Sequence, residues 1–275
     1  MADEILREPP RRLPVLDVAG RSYGYVWDQR TLLLGPLSVV FLIQYVVAIA
    51  GQLGGDAKPD LSRTISLLAI SVAGIVGLMT FAVGLHRTIL TGDIRHGIFF
   101  LRWDHDLRRY AWAWFKIFVL ALAGAVIVAF LGGIVAALMH AWAHWKNVAI
   151  GLGALLGVGI VIVPRSVLAL PAAALGEDGS IRRSWHITRG NGLRMIGVLL
   201  LATLPFILLG LLLKLPAWAA GVMSKAVPNV AEALISLKYV LMAFSAALQA
   251  VSTAVLTATL SFSYGALATP PDSPE

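Results

Sequence analysis

The sequence predicts an all-α integral membrane protein, a six-helix transmembrane bundle carrying short amphipathic helices on its cytoplasmic side. Three observations predict it. The first is composition: 58% of the 275 residues are hydrophobic and only 13% are charged, with a mean hydropathy of +0.81. Soluble domains carry about a quarter charged residues, so this chain has too little polar material to cover a water-facing surface. The second is a set of six apolar runs, each near the roughly 20 residues that a helix needs to cross a hydrocarbon core of about 30 Å. The third is an uneven distribution of Lys and Arg between alternate loops.

The runs are residues 31–53, 65–85, 111–139, 148–173, 195–215 and 240–267. Lipid offers no partner for an open backbone, and runs of this length do not alternate as barrel strands do, so each is expected to be helical. Residues 1–30 mix five arginines with five acids and lack a signal-peptide core. They read as a cytoplasmic tail whose very start Pro9, Pro10 and Pro14 make flexible, and residues 268–275 read as a cytoplasmic tail as well.

Orientation follows from the basic residues in the short loops. The N-terminal segment, the loop His86–Tyr110 and the loop Gly176–Arg194 hold fourteen, against six on the opposite side. That places both termini in the cytoplasm. Trp112 and Trp114 stand at one end of the third run, with Trp142 and Trp145 at the other. From Trp114 to Trp142 is about 42 Å of helix, the thickness of a bilayer to its headgroups, so the pairs read as interfacial belts.

Arg165 lies 17 residues into the fourth run, about 26 Å from its outer end at Val148. There a guanidinium reaches the inner headgroups. Pro164 and Pro171 lack the N–H that a helix ladder needs, so the helix is expected to bend, with Ser166–Ala174 running obliquely along the interface.

The turn Gly176-Glu-Asp-Gly-Ser180 follows, with Ser180 as N-cap of a short helix over Ile181–Arg189 and Gly190-Asn191-Gly192 as its stop. Ile181, Trp185 and Thr188 are expected on one face, with Arg182, Arg183, His186 and Arg189 on the other. A basic amphipathic helix of this kind attracts anionic lipid. It serves either as a general surface element or as a specific headgroup or partner site built from Arg165, Arg182, Arg183, Trp185, Arg189 and Asn191. The second inner loop offers a similar set in His86, Arg87, Asp93, Arg108 and Arg109, with Gly97–Trp103 dipping back to the membrane surface.

Other candidates read more plainly. Asp104-His105-Asp106 has metal-capable ligand types, but neighbouring side chains on a helix diverge, and ion pairing among Asp93, Asp104, Asp106 and nearby arginines is the expectation. His140 and His144 are four apart without the glutamate of the zinc-protease motif. Cysteine is absent and no carboxylate lies in any span, which removes the usual proton relay. Gln44, Gln249, Ser245, Ser252, Thr253, Thr257 and Thr259 read as helix-packing polar groups. Gly74, Gly77 and the spacing Gly153-x-x-x-Gly157 permit close helix approach and a homo-oligomer.

No nucleophile elbow, phosphate-binding Gly-rich loop or zinc-protease pattern occurs. The reading therefore leans away from an enzyme, with no cofactor, no metal and no nucleic-acid partner. Two alternatives stay open. One is a transporter of small or lipid-like solutes, although Pro36 and Pro164 fall on the same side, where inverted repeats need opposite sides. The other is a lipid-headgroup enzyme using His86, Asp93, Asp104 or Asp106.

The motif His86-Arg87-x-Ile89-Leu90-x-Gly92-Asp93, then Arg165-x-x-x-x-Leu170-Pro171-Ala172-x-Ala174 and Ser184-Trp185-x-x-Thr188-Arg189-Gly190-Asn191, resembles a group of uncharacterised bacterial six-span inner-membrane proteins. That group is similar to the membrane domain fused to some glycerophosphoryl diester phosphodiesterases. The catalytic domain of those enzymes has no counterpart here. The resemblance implies an inner-membrane six-helix protein with no catalytic residues to carry over.

Overall fold

The first helix, α1 (Val15–Asp28), occupies what the composition marks as a loose tail. Pro14 sits just ahead of it, where a missing N–H costs nothing, and its carbonyl accepts the Val18 N–H at 3.0 Å. Val18, Ser22 and Val26 recur every four residues and are buried, as is Leu13 just upstream. Within the expected N-terminal tail, residues 1–30, the stretch 15–28 is thus an ordered helix. A mixed, charged outer face carrying Asp17, Arg21 and Asp28 hides the buried stripe from a composition reading.

The computed structural model describes residues 12–55, 61–94, 105–138, 153, 162–226 and 231–268, and among them the chain is all-helical, with no strand. After α1 come α2 (Arg30–Gly55), α3 (Leu61–Thr91), α4 (His105–Leu138), α5 (Ala169–Ala174), α6 (Ile181–Ile187), α7 (Gly192–Ala226) and α8 (Ala231–Ala268). Bonds from the Gln29 N–H to the Tyr25 carbonyl and from the Leu33 N–H to the Gln29 carbonyl, both 2.9 Å, carry α1 into α2 almost without a break.

Among the described residues five stretches are long and apolar enough to cross a membrane: Arg30–Gly51, Thr64–Thr91, His105–Leu131, Gly192–Pro216 and Ser236–Ala268. They match five of the six expected runs. Their apolar side chains point outward, as Phe115, Phe118, Leu122, Val126 and Phe130 do along α4. Water would penalise such a surface at about 25 cal/mol per Å², whereas hydrocarbon does not. The expected fourth span lies mostly outside the described residues, as do Arg102, Asp104, His140, Trp142, His144, Trp145, Gly157 and the stretch Gly97–Trp103.

The helices gather into two compact units. One comprises Ala19–Trp103 and Leu200–Thr259. Here α2 packs against α3 through small residues: a Cβ on Gly74 would stand 3.3 Å from both Ile43 and Val47, and one on Gly77 would collide with Ile43. Helices in lipid gain nothing from hiding apolar surface from one another, so close approach and dispersion must hold them. Tyr23 donates its phenol to the Leu201 and Ala202 carbonyls at 3.1 and 3.0 Å and stacks on Phe206. Burial pushes the Tyr23 pKa up, which keeps this donor protonated.

The second unit comprises Met1–Val18, Asp104–Leu199 and Leu260–Glu275. Residues 162–166 are helical, the chain turns at Val167 and Leu168, and α5 follows. Pro171 cannot donate to Val167, and the Leu170 N–H takes that carbonyl instead at 3.1 Å. The break at the prolines is as expected, but the exposure is not. All six residues of α5 are buried, packed against α4, so the stretch after Arg165 is covered by protein rather than spread along an interface.

Candidate functional site: a basic hollow on α6

The loop between α5 and α6 fixes where the arginines stand, and α4 fixes the loop. Arg109 donates to the Gly176 carbonyl, and Lys116 Nζ donates to the Gly179 carbonyl at 3.2 Å. The two cations are seven residues apart, two helical turns on one face of α4. Lys116 thus spends its charge on a backbone dipole. Both glycines are required by the turn, with φ of 82° at Gly176 and 25° at Gly179. A Cβ on Gly179 would meet Ala173 at 2.8 Å and Ala113 at 3.2 Å. The exposed indoles of Trp112 and Trp114 lie between the two anchors, so the loop is level with a pair of side chains that favour the headgroup layer.

Glu177 in this loop accepts from Tyr264 Oη of α8 at 2.8 Å and pairs with Arg183 at 2.5 Å. One arginine of the expected cluster is therefore already compensated. Ser180 takes the extended conformation of an N-cap, although its hydroxyl makes no cap bond.

The buried face of α6 differs from the expected one. Ser184 and Thr188 are covered, while Trp185 is partly exposed. The reason is the broken helix upstream: Ser184 Oγ donates to the Arg165 carbonyl at 2.5 Å, and Thr188 Oγ1 folds back onto the Ser184 carbonyl at 2.9 Å. A hydroxyl must face that backbone carbonyl, and it outweighs the hydrophobic preference of an indole. Trp185 still contributes, donating Nε1 to the buried Ser166 Oγ at 2.9 Å and receiving the Arg165 guanidinium over its ring at 5.9 Å. That distance is within cation–π reach.

Arg182, Arg183, His186, Arg189, Trp185 and Ser180 line one shallow, open hollow of about 520 Å³. Arg165, Arg182 and Arg189 are exposed, and none has a carboxylate partner among the described residues. The hollow presents guanidiniums, an imidazole, a hydroxyl and an indole, and no carboxylate lines it. That chemistry holds anions, and phosphate above all, because the guanidinium fork matches it.

Asn191 does not join this surface. It is buried, and its side-chain oxygen accepts the Leu13 N–H at 2.9 Å, while Arg194 reaches the Leu13 carbonyl at 3.4 Å. Leu13 and Tyr264 support the site without appearing in the sequence reading, and Ser166, Glu177 and Ser184 appear there without a role in the site. Only Glu177 carried a signal, as an acid five and six residues before two arginines.

The second inner-loop set divides. His86, Arg87 and Asp93 belong to one unit, and Arg108 and Arg109 to the other. His86 is fully buried, because α3 runs past the apolar stretch to Thr91 before Gly92, at φ 68°, ends it. Arg108 is exposed, and Arg109 is committed to Gly176. Asp106 Oδ1 stands beside Gly176, 3.3 Å from where its Cβ would be. Among the described residues no group of three or more metal-ligating side chains forms.

Among the described residues the chain is all-helical, with five helices of the length and apolarity of membrane spans and a basic hollow on α6. Comparison with family models, curated proteins and solved structures found no match.

Proposed function

We propose that this chain is a non-enzymatic, six-span protein of the bacterial inner membrane that engages anionic lipid headgroups, or an acidic protein partner, through a basic cytoplasmic surface. The observation that carries the reading is the pair Arg182 and Arg189, exposed, without carboxylate partners among the described residues, and sharing one hollow with Trp185. Leaving two guanidiniums uncompensated in a chain this poor in charge favours an outside anion. The fourteen-to-six distribution of Lys and Arg supports a cytoplasmic placement of this face. The sixth crossing would fall at residues 148–173, as the resemblance to six-span inner-membrane proteins also implies.

The test is lipid retention by the protein in nanodiscs containing zwitterionic and anionic lipid. Changing Arg182, Arg183 and Arg189 together to Gln is expected to weaken anionic-lipid retention about tenfold or more, at about 1 kcal/mol per basic residue. The loss should shrink as salt rises. Parental retention by the triple variant at low salt sinks the proposal.

A further inference from the structure

The hollow's charge arrangement says more about its ligand than its sign. Of the arginines around Trp185, Arg183 is neutralised by Glu177, leaving Arg165, Arg182 and Arg189 to an outside anion. Arg182 and Arg189 are seven positions apart on and just beyond α6, on either side of Trp185 in sequence. Seven residues of helix rise about 10 Å, far more than the width of a single phosphate. Each of the two therefore suits an anionic group of its own. The Arg165 guanidinium lies over the Trp185 ring at 5.9 Å and against Gly192, and it is not among the side chains that line the hollow.

The source of such a ligand is argued from level. Arg109 and Lys116 fix the loop leading into α6 along the stretch of α4 that exposes Trp112 and Trp114. Indoles at that position favour the headgroup layer, so phosphates at the same depth belong to the bilayer.

We infer that the hollow is a binding site for a lipid carrying two phosphate groups, with Arg182 and Arg189 each taking one phosphate and Trp185 lying against the bridge between them. This rests on the lipid-binding reading above and deepens it. Two phosphates on one molecule bind with the advantage of tethering: once the first is seated, the second is held nearby at an effective concentration in the millimolar range for a short link. Two separate single-phosphate lipids lack that advantage.

The experiment places the full chain in phosphatidylcholine nanodiscs doped either with diphosphatidylglycerol or with twice that mole fraction of phosphatidylglycerol, so that phosphate counts match. Native mass spectrometry then counts retained lipid. The two-phosphate lipid is expected to be retained about fivefold or more above its matched control. Arg182→Gln and Arg189→Gln should each abolish that preference. Arg183→Gln should leave it intact, because Glu177 already occupies that side chain.

Equal retention at matched phosphate overturns the inference, as does a preference that survives in both single variants. Displacement of the lipid by the acyl-free glycerol-bridged bisphosphate headgroup at equal concentration also overturns it, in favour of a soluble ligand. These outcomes differ from failure of the parent reading, in which anionic lipid of either kind is retained no better than phosphatidylcholine.

Discussion

The backbone N–H of Leu13 donates to the side-chain oxygen of Asn191 at 2.9 Å, across 178 positions of sequence. Both residues are buried, so this one amide anchors the N-terminal segment beside the start of α7. The contact turns a residue that reads as part of a surface site into a structural clasp.

Asn191→Ala strips the Leu13 N–H of its acceptor in a covered position. Such an orphaned donor costs about 1–3 kcal/mol, and the variant should melt at a lower temperature in detergent or nanodiscs. Asn191→Asp keeps an accepting oxygen but buries a carboxylate in place of a neutral amide, so it should destabilise as well. An alanine variant that melts at the parental temperature would mean that the clasp contributes nothing.

The packing of α2 on α3 gives a second, graded expectation. Gly77→Ala puts a methyl against the far end of Ile43, which can swing aside, and alanine's better helix propensity of up to about 1 kcal/mol offsets the strain. Gly77→Leu has no such escape and should destabilise by about 1–3 kcal/mol or more. Pairing it with Ile43→Ala should recover part of that cost in a double-mutant cycle. Additive effects in the cycle would mean that the two side chains do not compete for one space.

These two residues also mark what a sequence discloses. The five spans were legible because a membrane asks only for length and apolarity, properties that composition states directly. Gly74 and Gly77 were legible as close-packing residues, but not their partners, since nothing local names Ile43 or Val47. The basic hollow was legible as a cluster of arginines on a short helix. Its orientation was not: the helical wheel turns Trp185 inward, whereas the open carbonyl of Arg165 draws Ser184 there. That carbonyl lies 19 residues away in sequence, and its need for a donor arises only after the chain folds back. Asn191 and Glu177 were misjudged or missed for the same reason, their partners being 178 and 87 positions distant.

The turn before α6 predicts a change in binding without any change in charge. Gly179→Ala forces a methyl to within 2.8 Å of the Ala173 methyl, which has no rotamer to retreat into, and places alanine at a φ of 25°. A cost of about 1–3 kcal/mol is expected. Because this turn aims α6, anionic-lipid retention should fall along with the melting temperature. Ser180→Ala, one residue later, removes a hydroxyl that makes no cap bond and should leave stability within about 0.5 kcal/mol of the parent. A Gly179→Ala protein with undiminished lipid retention would separate the turn from the site.

Glu177 supplies the last expectation, because it restrains the hollow rather than building it. Its carboxylate is shared between Arg183 and Tyr264, so one guanidinium at the rim is held neutral. Glu177→Gln removes the charge while keeping an oxygen that can accept from Tyr264. Arg183 then joins Arg182 and Arg189 as an uncompensated cation. With about 1 kcal/mol per basic residue near an anionic surface, retention of anionic lipid should rise about fivefold at low ionic strength. The gain should fade at high salt, where the Debye length falls to about 3 Å. Arg183→Gln in the same background should return retention to the parental level, since the freed charge is then gone. A Glu177→Gln protein that binds anionic lipid no better than the parent would mean that Arg183 does not face the ligand, and that the anion is held on the Arg182 and Arg189 side alone.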